Sequence, residues 1–536
     1  MQVCPGNRPY CSFPQHDGYE MKNTLPVLLL SATLSALLSA CGSDATGPTA
    51  LDGNSQASDA SSTQASSVDM TCDLAAYPSQ VWTQCEQANF ARTGDAIREQ
   101  LASREFFQQY QTQSMNNLQS WFARLVADIS WLSPLSGNTG STPVCTTWSG
   151  PCTGNPFLYP EANGRDGKTF YSQVAEVTPV VFYDSQCARI SGRVWLPKGS
   201  QPGAQLPNIV IQNGSVQAPE TLYWWAAQLL VRNGYAVLTF DPRGQGRSDQ
   251  QTPQGEQGSN ANPTVFWTGL VDAIDFFRST SSNPYPNNIS CKDTYPTTVT
   301  AFNPMHDRLD ATRLGIAGHS LGGIGVSVVQ SYGATGAAAW PGKMDTQNPV
   351  KAAVAWDGIY TVANGQTGNA GGNGVPASTD NVPAVVPRVP ILGVNGDYGL
   401  APVPFLQSPD PKKTTTNFRE WVKGGQPVIE LTIAGSTHYE FSLLLNFAAS
   451  SWCPDASKGE CSGGWGNALT QHYSLAWFDR WLKKAGEPGF DSADSRLLAD
   501  NGINGRQKLS FRYFSARNFP NRSNTPEVCE NIRKGC

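Results

Sequence analysis

The stretch Arg313-Leu314-Gly315-Ile316-Ala317-Gly318-His319-Ser320-Leu321-Gly322-Gly323-Ile324 decides the reading of this 536-residue chain. Its first half is a short apolar strand candidate, Arg313–Gly318, and its second half opens a helical segment, Leu321–Tyr332. Ser320 stands between them in the pattern G-x-S-x-G. A serine on a tight strand-to-helix turn projects its oxygen at the carboxyl end of a sheet, beside a helix N-terminus. Flanking glycines permit the strained backbone and the close packing such a turn needs. Ser320 is therefore the candidate nucleophile.

Working outward, short apolar runs alternate with helical segments. The strand candidates are Pro179–Tyr183, Arg189–Leu196, Asn208–Gln212, Ala236–Asp241, Arg313–Gly318, Ala352–Trp356, Pro390–Asn395 and Val428–Ile433. Helices are expected at Ala218–Arg232, Phe266–Ser279, Leu321–Tyr332, Thr414–Val422 and Ala468–Lys483. Alternation of this kind predicts an α/β fold, a mostly parallel sheet with helices on both faces. The first two runs lie close enough for a hairpin, which makes the sheet mixed at that edge. The expected divisions are an upstream segment and signal over 1–40, a tether over 41–71, a helical and loop extension over 72–175, the catalytic domain over 176–486 and a C-terminal extension over 487–536. Asn364–Asp380 reads as a Gly/Asn-rich insertion near the site.

A second motif, Asp241-Pro242-Arg243-Gly244-Gln245-Gly246-Arg247-Ser248, stands after the fourth strand candidate. Together with Gly318-His319-Ser320-Leu321-Gly322-Gly323 it resembles the α/β-hydrolase family, over residues 176–486. Within that family the chain looks like secreted serine hydrolases related to dienelactone hydrolases and polyester or cutinase-type esterases. The resemblance implies an α/β-hydrolase fold and a structural role for the Asp241–Ser248 loop. It also implies a triad in the chain order serine, acid, histidine.

A serine hydroxyl needs a base within hydrogen-bond reach and a carboxylate to orient that base. Downstream of Ser320 the histidines are His438 and His472. His438 follows a strand in Ala434-Gly435-Ser436-Thr437-His438-Tyr439, where the family keeps its base; His472 falls in the last amphipathic helix and reads as a packing residue. His319, beside the nucleophile, reads as structural. The expected acid is Asp397, with Asp357 as the alternative one strand earlier. Counted from Gly393, Asp397 fits the G-x-x-x-D form of polyester hydrolases; counted from Gly396, Gly399 falls where the acid belongs. Oxyanion donors are expected from the backbone N–H groups of Leu321 and of Ser215, in Asn213-Gly214-Ser215-Val216. Tyr223-Trp224-Trp225 lies just beyond that loop and reads either as pocket lining or as helix packing. No cofactor or metal is implied.

The apolar stretch Leu25–Ala40 follows Met21-Lys22 and ends before Cys41. It is short for a membrane span and resembles a bacterial lipoprotein signal, with Cys41 as the lipidation site and a start at Met21. Gly42 in place of Asp favours sorting to the outer membrane in the Gram-negative pattern. The expected location is thus an exported lipoprotein facing periplasm or cell surface. Beyond Cys41 ten cysteines remain, and neighbour pairing is expected: four short loops and one long one, Cys187–Cys291. Charged residues are only 15% of the chain and the formal net charge is −5. That excludes an electrostatic nucleic-acid binder. The partners expected are an ester substrate, small or polymeric, and a membrane through the lipid. The activity expected is carboxylic ester hydrolysis; the rivals are a peptidase or amidase of the same fold and a non-catalytic surface lipoprotein.

Overall fold

In the computed structural model all eight strand candidates form, and two further strands join them in one sheet. The residues described are 102–132 with a few positions from 79 to 87, then 170–215, 219–258, 262–295, 299–361, 382–398, 411–442, 465–499, 515–532 and 536. The expected signal, Cys41, the expected tether and the Asn364–Asp380 insertion lie outside them.

The elements in chain order are α1 (Arg104–Ala127), β1 (Ala175–Tyr183), β2 (Arg189–Pro197), β3 (Leu206–Gln212), α2 (Trp224–Arg232), β4 (Ala236–Asp241), α3 (Val265–Arg278), α4 (Pro286–Ser290), β5 (Leu309–His319) and α5 (Leu321–Ser331). They continue with β6 (Val350–Trp356), β7 (Ile391–Tyr398), α6 (Pro411–Lys423), β8 (Val428–Thr437), α7 (Trp465–Leu482), α8 (Ala493–Leu497), β9 (Ala516–Pro520) and β10 (Pro526–Cys529). The sheet order is β1-β2-β4-β3-β5-β6-β7-β8-β9-β10. The six strands from β4 to β8 are parallel, and antiparallel strands flank them on both sides. Strand order reverses at β3, so crossover helices leave to opposite faces on its two sides and a crevice opens at the carboxyl ends.

Side-chain alternation divides the core into two layers. Ile209, Ile211, Leu431 and Ile433 face α2 and α7, with Trp225, Leu230, Trp477 and Phe478 against them. Val210, Ile316 and Val428 face α3, α5 and α6, with Phe266, Phe277, Val328 and Trp421 against them. Each large apolar side chain sealed this way contributes roughly 1.5–3 kcal/mol before its ordering entropy is counted.

β9 and β10 extend the sheet beyond β8, so it does not stop at residue 486. Ala516-Arg517-Asn518-Phe519-Pro520 has little period-2 apolar signal, and both strands are short. Their pairing comes from the open edge of β8 more than from local propensity.

Two disulfides are described, Cys187–Cys291 and Cys529–Cys536, both among the expected neighbour pairs. The other expected pairs lie outside the described residues. Cys187 sits in the β1–β2 turn, so its bond pins that hairpin to the end of α4. The helical extension reaches the same rim. Arg189 Nη1 donates to Ser130 Oγ at 2.7 Å while Nε and Nη2 grip the buried Asp249 carboxylate.

Candidate active site

β5 runs straight into α5, and Ser320 is the single residue between them. Its backbone has φ 58° and ψ −122°. That conformation costs a non-glycine residue about 1–3 kcal/mol and persists only where its surroundings over-determine it. Here Ser320 N–H donates to Trp356 O at 3.1 Å, and Ser320 O accepts from the N–H groups of Gly323 and Ile324. The flanking glycines are required by close approach. A Cβ on Gly322 would overlap the Asn213 carbonyl oxygen, and one on Gly318 would overlap the carbonyl of Gly322. The G-x-S-x-G spacing thus lets α5 sit directly on the ends of β3 and β5. Leu321 opens α5, where first-turn N–H groups have no intrahelical acceptor and attract negative charge.

Asp357 is the first residue past β6 and has a left-handed φ of 64°. Its N–H donates to Val394 O at 2.6 Å, and its Oδ1 accepts from Gly396 N–H at 3.2 Å. Its Oδ2 is hydrogen-bonded to His438 Nδ1. A carboxylate on Nδ1 holds the proton there and leaves Nε2 bare, the tautomer a general base needs.

Among the described residues the histidine's partner is Asp357, the alternative acid, rather than the expected Asp397. Asp397 is still inside β7, and its side chain lies outside the described residues. The physical difference is where each strand ends. β6 stops at Trp356, and the left-handed turn at Asp357 frees its carboxyl group toward His438. β7 runs on through Tyr398 beside β8.

His438 follows β8 directly and is half-buried. Its ring centroid lies 4.5 Å from that of His319, the residue before Ser320, which brings the base beside the elbow. His319 Nε2 is 2.9 Å from His438 O, and its Nδ1 is 2.9 Å from Tyr223 Oη. Burial, with the nearby His438 second, lowers the His319 pKa to about 3, so its ring stays neutral. His472 is held by Arg496 O at 3.1 Å, within the α7–α8 packing.

Ser215 is half-buried in the segment after β3. The Asp241 carboxylate clips both sides of that segment, accepting from Asn213 Nδ2 at 3.2 Å and Glu220 N–H at 2.6 Å. Arg243 pairs with Asp184 at 2.9 Å. Asp241 and Arg243 thus hold loops, the role the motif implies. Trp225 packs on Trp356 with centroids 5.0 Å apart, and Trp224 packs on Trp195 at 5.3 Å, so both brace α2 against the sheet. Tyr223 and Gln245 carry site hydrogen bonds that the sequence does not announce. No spacing rule places a tyrosine 96 residues before His319 against it. Among the described residues no cluster of three or more His, Cys, Asp or Glu side chains is arranged to hold a metal ion, and no helix is long and apolar enough to cross a membrane.

Residues 207–366 match the family described as alpha/beta hydrolase fold. No curated protein sequence matches the chain. A solved structure of Pyrococcus horikoshii acylaminoacyl peptidase is similar over 62% of this chain and 46% of its own, at 14% identity and a TM-score of 0.34. Thermogutta terrifontis esterase 2, phosphoramylated by tabun, is similar over 50% of this chain and 86% of its own, at 12% identity and a TM-score of 0.33. The chain spans less than half the length of the peptidase. The matched segment runs from β3 past the elbow and Asp357, and with the sheet order and crossovers described above it gives this chain the alpha/beta-hydrolase fold.

Proposed function

We propose that this chain is a serine hydrolase that cleaves carboxylic esters through a Ser320–His438–Asp357 triad and an acyl-enzyme. The observation that carries the reading is the hydrogen bond from His438 Nδ1 to Asp357, set beside a serine held at positive φ on the strand-to-helix turn. In this mechanism His438 Nε2 takes the Ser320 proton as Oγ attacks the ester carbonyl. The N–H groups of Leu321 and Ser215 receive the oxyanion, and Asp357 stabilises the imidazolium. His438 then returns the proton to the leaving alkoxide. Water, deprotonated by the same base, releases the acid. The two disulfides are in keeping with an exported chain; the lipid anchor at Cys41 is proposed from the sequence pattern alone.

The test is initial rates on matched p-nitrophenyl esters and p-nitroanilides, with mass-spectrometric mapping of a fluorophosphonate label. Ester turnover and labelling at Ser320, both lost in Ser320→Ala by at least ~10³-fold, are the expected results. Anilide turnover of comparable rate would move the reading to a peptidase or amidase. Absence of labelling and of turnover on both series would leave a binding lipoprotein.

A further inference from the structure

Gly214 has both of its backbone groups engaged. Its N–H donates to Tyr223 Oη at 2.9 Å, and its carbonyl accepts from Gln245 Nε2 at 2.7 Å. Gln245, Tyr223 and His319 are all buried. The donor roles follow from the partners alone. The His438 carbonyl can only accept, so His319 Nε2 carries the proton. His319 Nδ1 is then bare and accepts from the Tyr223 hydroxyl, whose oxygen is left to accept from Gly214. One chain of hydrogen bonds therefore runs from the loop after β3, through α2's entry and the elbow, to the backbone of the base.

A trans peptide is planar, with its C=O and N–H pointing in opposite directions. The carbonyl of Gly214 and the N–H of Ser215 belong to the same peptide. Gln245, by holding the carbonyl, fixes the direction of the Ser215 N–H. Gly214 is closely packed: a Cβ there would sit 2.8 Å from Tyr223 Oη and 3.1 Å from His319 Nδ1.

We infer that Gln245 and the Tyr223–His319 pair are positioning residues that aim the Ser215 N–H at the developing oxyanion and keep it in register with His438. The inference rests on the catalytic reading above. It gives the Asp241–Ser248 motif a part in the reaction, in addition to holding its own loop.

The experiment compares Gln245→Met and Tyr223→Phe with the wild type on p-nitrophenyl esters, with thermal unfolding measured alongside. Inactivation by a fluorophosphonate supplies a second readout, since it builds charge on an oxygen seated in the same place. The expected result is a kcat lower by roughly 10- to 100-fold with KM within about twofold, and inactivation slowed to match. If Gln245→Met does not fold, Tyr223→Phe, which removes one oxygen atom, carries the test. Wild-type labelling at Ser320 with kcat and inactivation rate unchanged in the folded variants would overturn the inference alone. A fall in kcat matched by an equal rise in KM would also overturn it. Failure of the wild type to be labelled would overturn the catalytic reading, and this inference with it.

Discussion

β6 and β7 end side by side, each near an aspartate, and the two ends are built differently. At Asp357 the strand has finished, the backbone turns left-handed, and three hydrogen bonds fix the residue to β7 and to His438. At Asp397 β7 has not yet ended, although its register with β8 shifts between Gly396 and Tyr398. The difference teaches that a carboxylate serves a base from just beyond a strand, where the chain is free to turn its side chain along the sheet's carboxyl edge. Spacing favours Asp397, because a motif count does not record which strand end turns its carboxyl group toward the histidine.

The largest expected effect separates the two residues directly. Asp357→Asn keeps the shape and, because Asn tolerates positive φ, keeps the fold. It should lower kcat on p-nitrophenyl esters by about 10³–10⁴-fold through loss of the Nδ1–H tautomer. Asp397→Asn should change kcat by less than about threefold. Equal losses, or the reverse order, would break the comparison.

A smaller effect concerns His319, which lies on the other side of the base. Its pKa falls from 6.5 unfolded to about 3 folded, so the unfolded chain binds more protons between those values. Its contribution to stability is full above about pH 6.5 and declines as pH drops toward 3, by roughly 1.4 kcal/mol per unit. Asp272, raised by burial to about 7, and Asp241 and Asp275, each raised by burial to about 6, have the opposite sign, so wild-type curves mix these contributions. The difference between wild type and His319→Gln in urea melts at pH 7, 5.5 and 4.5 isolates the histidine. The gap should narrow on acidification; a gap that does not change with pH would show His319 titrating normally.

The smallest effect is at Gly358, whose φ of 110° is open to glycine alone. Gly358→Ala should cost about 1–3 kcal/mol in stability. It should also lower kcat, because the strain loads the turn that presents Asp357. Chemical melts and ester kinetics on the same variant check both, and a stability loss with unchanged kcat would uncouple the turn from the acid.

Much of this was legible beforehand because local pattern and tertiary demand agree. β5, Ser320 and α5 follow from an apolar run, a glycine-flanked serine and a second apolar run. His438 follows from a strand that ends at a histidine. The acid was not legible, since the choice depends on where β6 and β7 stop, and strand ends are set by neighbours. β9 escaped for a related reason: it pairs with the β8 edge although Ala516–Pro520 lacks alternation. Tyr223 is legible only as possible pocket lining, because its bond to His319 spans 96 residues, and Gln245 is not legible as a site residue, because its partner is a backbone carbonyl, which no side-chain pattern records.

The outer margin of β1 has a consequence for how copies of this chain meet. Its outward positions are Pro179, which has no N–H, Val181, whose N–H and carbonyl are both bonded to Thr300, and Tyr183, whose N–H donates to Asn288 Oδ1. Every outward donor on that half of the strand is spoken for or missing. That half of the edge presents no free N–H for an eleventh strand to pair with, which blunts edge-to-edge pairing between copies there.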